Sequence, residues 1–543
     1  MRGAVARLAE AARVPPPATV PWTVPPPTAR GDLATPLALS FAKVLGRKPR
    51  EVAEAILGNL TLDPRLVAGA EVAGAGYLNF VVAPAYWRQG VRIARVQGAA
   101  FGHSQAGGGR RVQVEFVSAN PTGPLHVAHG RGAAVGEAVA RLLEATGWRV
   151  EREYYINDAG TQMGLLGASI WARYQELSGR AVPFPEGGYR GAYVRDLAEA
   201  LAAKEGKRLL AMPEEEAASF CAAFGRDEIL AWIQRDLAAF GITFDRWFSE
   251  RSLLDRGEVR ATLDFLRARG HLYEQEGALW FRSSAFADDK DRVLVKSSGE
   301  LTYATSDIAY HWDKLKRGYR RLIDVWGADH HGYISRMKAA IAALGYDPGT
   351  LTVLLVQIVR LLRGGQEVRM SKRTGDFISL QEVLEEVGPD ACRYIFLTRR
   401  ADSHLDFDLE VAKAQSMENP VYYVQYAHAR CASILREAEK AGVPLPDPEA
   451  PVDRLALPEE IALLKQLALF PEVVEAAAAA LEPHRLPAYL QALATEFHGY
   501  YTRHRVLSDD RELTADRLAL VAALKQVVAN TLTLLGVSSP DRM

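Results

Sequence analysis

Cysteine is almost missing from this chain: three residues in 543, at positions 221, 392 and 431. So few thiols, so widely spaced, exclude a disulfide framework and offer no CxxC zinc pattern, and a reducing cytoplasm is the expected compartment. Net charge is missing too, with 65 Lys and Arg against 66 Asp and Glu, so the overall balance selects no partner. No uninterrupted apolar run approaches the roughly 20 residues of a bilayer span. The longest, LTVLLVQIV at 351–359, reads as a buried strand. The opening MRGAVARLAEAARVPPPA lacks the apolar stretch and cleavage site of a secretory signal, and no membrane association is expected. What remains is ordinary globular composition, 48% hydrophobic and 24% charged. At roughly 100–200 residues per domain, the length implies about three or four domains.

The distribution of charge says more than its sum. Residues 1–110 carry 13 Lys and Arg against 6 Asp and Glu, a basic module on an otherwise acidic chain. That suits attraction to a polyanion, although a solvated basic face would look the same. Seven prolines in the fifteen residues 14–28 stiffen the chain there toward an extended form. Helical periodicity follows in GDLATPLALSFAKVLGRKPREVAEAILGNL, then AGYLNFVV reads as a strand. This is a small N-terminal α+β domain, and Gly107, Gly108 and Gly109 read as a linker behind it.

From residue 112 the order is strand (RVQVEFV), loop (SANPTGPLHVAH), helix (GRGAAVGEAVARLLEATG) and strand (WRVEREYYI). That is a βαβ unit, which implies a parallel sheet with its ligand crevice at the carboxyl ends of the strands. Residues from about 165 to 285 read as a mostly helical insertion. The sheet is expected to resume with TYATSDIAYH, RLIDVWGADHHG and LTVLLVQIV, and from about 405 the chain reads as all-α. The division is therefore 1–105, 106–405 and 406–543.

Two places carry chemistry. His126 and His129 stand where a helix begins, followed by Gly130. A helix N-terminus favours an anion, histidines there donate to phosphate oxygens, and glycine permits close approach of a base or sugar. Structural histidines are the competing reading; zinc would need further ligands, which no nearby cysteine or third histidine supplies. The second place is EVRMSKRTGDFISL at 367–380, where Lys372 can neutralise charge as a phosphoanhydride breaks. A solvated basic turn is the alternative for such a pair as Lys372 and Arg373.

HVAH at 126–129 and RMSKR at 369–373 resemble the HIGH and KMSKS signatures of class I aminoacyl-tRNA synthetases. The longer string VEFVSANPTGPLHVAHGRGAAVGEAVARLLEATG, with YYINDAGTQ, LTYATSDIAY, YYVQYAHARCASILR and LLGVSSPDRM, resembles the arginyl-tRNA synthetase family. The resemblance runs over essentially the whole chain and is weakest in the insertion. It implies a Rossmann-type catalytic domain, a tRNA-gripping N-terminal domain and a helical anticodon-binding domain. It also implies ATP with Mg²⁺ but no tightly bound metal, L-arginine and its tRNA as partners, and a monomer.

Residue by residue, the resemblance places Glu115, Ser118, Asn120, His129, Tyr303 and Asp307 around arginine. Asp307 is its direct guanidinium partner and Glu115 a second carboxylate. Tyr303 and Asp307 are spaced i, i+4, so on a helical turn they share a side. His126, His129, Gly130, Asp329, Met370, Ser371 and Lys372 fall to ATP, with His126, His129 and Lys372 stabilising the transferring phosphate. Tyr422, Tyr423, Tyr426 and Arg430 are the candidate anticodon contacts; a core stripe of tyrosines is the plainer reading. Two features depart from the pattern. Ala128 stands where the signature usually has glycine, and VWGADHHGY stands where the family often has an arginine-contacting glutamine. Which of Asp329, His330 and His331 faces arginine and which faces ATP is open. Asn157, Asp158 and Gln162 fall near the site, although Asn-Asp before a helix is more often an N-cap. A nucleotidylyl transferase, a synthetase for another amino acid, and a tRNA-binding relative without activity are the rival functions.

Overall fold

Five strands form a parallel sheet at the centre of the chain: β1 (Arg111–Glu115), β2 (Arg149–Ile156), β3 (Arg246–Ser249), β4 (Leu322–Gly327) and β5 (Leu351–Val356). Their spatial order is β5-β4-β1-β2-β3. The computed structural model describes residues 1–26, 29–368 and 378–543. Helix α1 (Val127–Ala145) joins β1 to β2 on one side, while β4 flanks β1 on the other. The chain reverses direction across the sheet between β1 and β4, which opens a crevice at their carboxyl ends.

The stretch read as an insertion is more than that. It begins with three helices, α2 (Thr161–Leu177), Ala192–Glu205 and Glu214–Ala239, but β3 within it is an edge strand of the central sheet. Four residues behind a long helix give too short a period to announce a strand. Strands Leu272–Gln275, Ala278–Phe281 and Arg292–Val295 then form a separate antiparallel sheet. TYATSDIAYH, expected to continue the sheet, is helical instead: it opens α3 (Tyr303–Lys316), whose buried Ala304, Ile308, His311 and Leu315 recur at helical spacing. Helix α4 (Ile334–Ala343) follows β4.

In the N-terminal region, strand Tyr77–Val82 pairs antiparallel with Leu33–Thr35 on one side and Val67–Ala73 on the other. Phe41, Val52, Ile56, Leu78 and Phe80 form its core. The triple glycine is not a loose linker. Gly107 donates to the Thr146 carbonyl at 2.7 Å and Gly109 to that of Gly147 at 2.8 Å. A Cβ on Gly107 would lie 2.5 Å from the Trp148 ring, so this close approach to the end of α1 requires glycine.

Helices α5 (Pro420–Lys440), α6 (Pro458–Ala480), α7 (Arg485–Arg503) and α8 (Arg511–Leu535) make up the C-terminal part. Helix Pro84–Gln97 lies against them: Arg88 donates to the Leu455 carbonyl at 2.9 Å, Arg95 to that of Asp447 at 3.1 Å, and Arg92 pairs with Glu449. Three cations of the basic module are thus engaged within the protein. Helix α8 corrects the expectation about span-length segments: it is long and apolar enough to cross a bilayer, with a mean hydropathy of 1.7. However, 72% of that window is buried in the protein. Scattered polar residues interrupt its apolar run, which is why a search for uninterrupted runs passes over it.

Candidate active site

Three carboxylates stand side by side across the sheet. Asp324 of β4 is in register with Glu115 of β1, and Glu115 with Glu153 of β2. Paired residues share a face, and this face lies under α3. Buried acids persist only with partners, and α3 supplies them. Lys314, fully buried, donates to Glu115 at 2.5 Å and to Asp324 at 3.0 Å. His311 meets Asp324 at 3.0 Å, and Tyr310 donates to Glu153 at 2.7 Å. Arg317, the residue after α3, pairs with Glu153 at 2.6 Å. Burial resists ionisation of Asp324, but Lys314 and His311 outweigh it and hold the carboxyl down at about 2. At Glu115 burial prevails over Lys314, with Asp324 adding to it, and the carboxyl is raised.

Above this row opens a cleft of about 1630 Å³. That exceeds the ~300–1,000 Å³ of a typical small-ligand site and leaves room for more than one substrate. Glu115, Ser118, Asn120, His126, His129, Tyr303, Asp307 and Asp329 all line it. The loop after β1 is tightly shaped. Val117 and Ser118 hold φ of 68° and 40°, the Ser118 hydroxyl donates to Glu115 at 3.0 Å, and Asn120 donates to Gln162 at 2.7 Å. Asp307 makes no ion pair among the described residues; it accepts from the Tyr333 hydroxyl at 2.5 Å. Burial raises its carboxyl despite that bond. Tyr303, 55% exposed, stands one helical turn away on the same cleft wall.

At the start of α1 the His126 N–H donates to His129 Nδ1 at 3.2 Å, and the two rings stack with centroids 3.7 Å apart. An accepting Nδ1 selects the neutral tautomer that carries its proton on Nε2, the form that donates to an anion. His126 also forms a bridge with Ser379, and Leu380 N–H donates to the Leu125 carbonyl at 2.7 Å. The chain just beyond RMSKR is thereby fastened to the HVAH segment. Met370, Ser371 and Lys372 themselves lie outside the described residues. Arg131, fully buried on α1, donates to the carbonyls of Gln357, Arg400 and Ser403 at 2.7–2.9 Å. That ties down the wall on which Ile358 stands 67% exposed.

Several sequence expectations need correction. Gly130 does not face the cleft: it is buried, and a Cβ there would lie 2.6 Å from Leu380 and 3.2 Å from Phe396. Its smallness serves helix packing, while Ala128 and Gly132 line the cleft. Glu115 lines the cleft but already has a cation: one of its oxygens accepts from Lys314 and the other from the Ser118 hydroxyl. Asp158 does not cap α2, whose N-cap is Gly160; its carboxylate accepts from Ser249 Oγ at 2.7 Å and from the Arg251 N–H at 3.0 Å.

Lys314, Asp324, His311 and Tyr333 were missed altogether. The one available signal was a lone acid in an apolar strand, as in LIDVW. The insertion contributes to the cleft as well, through Tyr189, Arg190 and Tyr193, and the Tyr193 hydroxyl donates to the Thr122 carbonyl at 2.7 Å.

Away from the cleft, Tyr422 and Tyr426 stack on α5 with centroids 6.1 Å apart. Arg430 lies 4.6 Å over Tyr426 and 4.5 Å over Tyr501. Tyr423 is turned toward α7, donating to Thr495 at 3.1 Å.

Comparison with known proteins matches this geometry to one family. The profile "Arginyl tRNA synthetase N terminal domain" covers residues 3–82, "tRNA synthetases class I (R), catalytic domain" covers 92–416, and "DALR anticodon binding domain" covers 424–543. The chain is 53% identical to an arginine–tRNA ligase of Syntrophotalea carbinolica, over 96% of this chain and 94% of that one. It is 54% identical to an arginine–tRNA ligase of Desulfosudis oleivorans, over 94% and 93%. A crystal structure of a putative arginyl-tRNA synthetase from Campylobacter jejuni superposes with a TM-score of 0.78 at 36% identity, covering 85% of this chain and all of that one. On these matches and this architecture, the chain belongs to the arginyl-tRNA synthetase family of class I.

Proposed function

We propose that the cleft joins L-arginine to ATP and passes the arginyl group to the terminal adenosine of an arginine-accepting tRNA. One observation carries the arginine assignment: Asp307 is a cleft carboxylate without a cationic partner among the described residues, whereas its neighbours Glu115 and Asp324 share Lys314. A planar, permanently charged guanidinium fits that vacancy of charge. Asp307 and Tyr303 hold the side chain, and Ser118, Asn120 and His129 line the same subsite. Glu115 lies in the floor, held by Lys314.

ATP enters as its Mg²⁺ complex. His126 and His129 face its phosphates at the positive end of α1, and Asp329 lies near its ribose. Ile358, with Ala128 and Gly132 close by, offers apolar surface for the adenine. Met370, Ser371 and Lys372 of the RMSKR segment are assigned to the ATP phosphates by their sequence.

The arginine carboxylate oxygen attacks the α-phosphorus, the bond to the β-phosphate oxygen breaks, and pyrophosphate leaves. A ribose hydroxyl of the tRNA then attacks the adenylate carbonyl and AMP leaves. Neither step uses a protein nucleophile. His126, His129 and Lys372 offset charge that grows on the phosphate oxygens, and the cleft walls align the reactants.

The division into 1–105, 106–405 and 406–543 gives the first part to the tRNA body and the last to the anticodon. Tyr422, Tyr423, Tyr426 and Arg430 supply stacking surfaces for anticodon bases, joined by Tyr501. The enzyme acts as a monomer in the cytoplasm.

The test is ATP–pyrophosphate exchange across amino acids, with and without tRNA. Exchange that depends on arginine supports the reading; exchange indifferent to arginine refutes it. Lys372→Ala is expected to lower kcat about a hundredfold, the scale for losing one transition-state donor, while tRNA affinity measured by filter binding stays within about twofold. Equal losses in both would remove Lys372 from the chemistry.

A further inference from the structure

Beside Asp307 two buried polar groups face each other, the Tyr155 hydroxyl and the Glu250 carboxyl; neither the hydroxyl nor Glu250 Oε2 completes a well-formed hydrogen bond among the described residues, although Tyr155 and Ser306 lie within reach of the Glu250 carboxyl. Tyr155, 8% exposed, lines the cleft near the carboxyl end of β2. Its ring is held between Tyr310 and Phe248, at centroid distances of 4.4 and 6.2 Å. Glu250, 6% exposed, follows directly on β3, and its N–H donates to the Ile156 carbonyl at 3.0 Å. It stands outside the cleft lining. Ser306 and Asp307 of α3, Asp158 from the loop after β2 and Tyr155 of β2 are the groups that face it.

Buried acceptors are rarely left unmet, and where they are, a ligand is a natural partner. A guanidinium brings five donors and no acceptor, so it can serve several such groups at once. A carboxyl buried beside two others cannot readily ionise until a cation approaches.

We propose that Tyr155 and Glu250 complete the arginine subsite: the Tyr155 hydroxyl accepts from the guanidinium, and Glu250, behind it, yields its proton to solvent as the cation arrives. This rests on the reading that the Asp307 end receives the guanidinium. Tyr155 is then a contact and Glu250 a positioning residue. The proton balance is simple. Arginine enters already charged, the Glu250 carboxyl becomes a carboxylate, and one proton leaves for bulk water. Burial, with the charges of Asp307 and Asp158, holds the Glu250 carboxyl up at about 7 against the hydrogen bonds offered by Ser306 and Tyr155.

The test is calorimetric titration of the full-length enzyme with arginine at pH 7, in buffers of different ionisation enthalpy. The wild type is expected to release roughly half a proton per arginine bound, as a group titrating near the working pH must. Glu250→Gln is expected to bind arginine with clearly less proton release than wild type, the remainder coming from Asp307, whose carboxyl burial also raises. Tyr155→Phe is expected to raise the arginine Kd about tenfold, the scale of a hydrogen bond to a charged group. Equal release from wild type and Glu250→Gln, or no release from either, overturns the role of Glu250. An unchanged Kd in Tyr155→Phe overturns that of Tyr155. If the wild type binds no arginine at all, the functional reading falls first and this one with it.

Thermal melting without arginine gives a second readout. A carboxyl lifted from 4.5 to about 7 by folding opposes the folded state increasingly as pH rises through that interval. Glu250→Gln should therefore melt higher than wild type at pH 8 and equally at pH 4; a lower melting point at pH 8 overturns the proposal.

Discussion

Asp307→Ala raises the KM for arginine by about 30- to 4,000-fold in pyrophosphate exchange, with a much smaller change in kcat. The magnitude follows from removing one partner of a buried, hydrogen-bonded charge pair, about 2–5 kcal/mol, with each 1.4 kcal/mol worth a factor of ten. The split between the constants follows from where the proposed contact lies. The guanidinium is remote from the reacting carboxylate, so its binding is equally strong in ground and transition states and acts mainly on KM.

Two controls sharpen the expectation. Tyr333→Phe removes only the hydroxyl that donates to Asp307, and about a tenfold rise in KM is expected. Asp307→Asn keeps the shape and an acceptor for Tyr333 but loses the charge, so it should behave nearly as the alanine variant does. An arginine KM within twofold of wild type for Asp307→Ala would remove this residue from the pocket.

Lys314→Met attacks the foundation of the site. The lysine is enclosed between Glu115 and Asp324, with its ammonium 4.4 Å from the centre of the Tyr310 ring. Methionine fills the volume but leaves two buried carboxyls facing each other without the lysine between them, His311 alone remaining on Asp324. Breaking a buried ionic group in this way costs about 3–5 kcal/mol, a large share of the ~5–15 kcal/mol that keeps a domain folded.

The pH dependence identifies the cause. In the wild type, Asp324 is depressed from 3.8 to about 2, so its contribution is present above its ordinary value and is lost only as pH falls through about 2. Without Lys314, Asp324 keeps only His311 against burial, and the Glu115 carboxyl, already raised, is expected to rise further above its unfolded value. The variant then loses stability as pH rises from about 4. Its melting point should fall further below wild type at pH 8 than at pH 5, and Lys314→Met/Glu115→Gln should recover part of the loss. A deficit independent of pH would mean that packing, not charge, is the reason for Lys314.

How much of this was legible in the sequence depended on distance along the chain. The β1–α1–β2 unit was readable because its signals are local: an apolar run, a turn-rich loop, then nineteen helical residues. The i, i+4 placement of Tyr303 and Asp307 was readable for the same reason. The partner of Glu115 was not, because Lys314 lies 199 residues away and looks like any lysine on an amphipathic helix. Asp324 likewise reads as an interruption of a strand until its register beside Glu115 is known. Glycine misled twice. Gly130 reads as a nucleotide contact and Gly107 as a linker, yet both are small because neighbouring side chains press against them, and a sequence does not display its neighbours. RWFS at 246–249 was lost for want of length, the local pattern being shorter than the period needed to recognise it.

Helix Pro84–Gln97 has a practical bearing on how the chain can be divided. It is continuous in sequence with the N-terminal sheet, yet Gly90 sits so close to Ala468 that a Cβ would lie 3.1 Å away, and Phe101 packs on Phe470. A fragment trimmed to begin at residue 106 would uncover an oily strip along α6 and invite clumping. One cut just ahead of Pro84 keeps that strip roofed, and is the better starting material for studying arginine activation apart from the module that leads the chain.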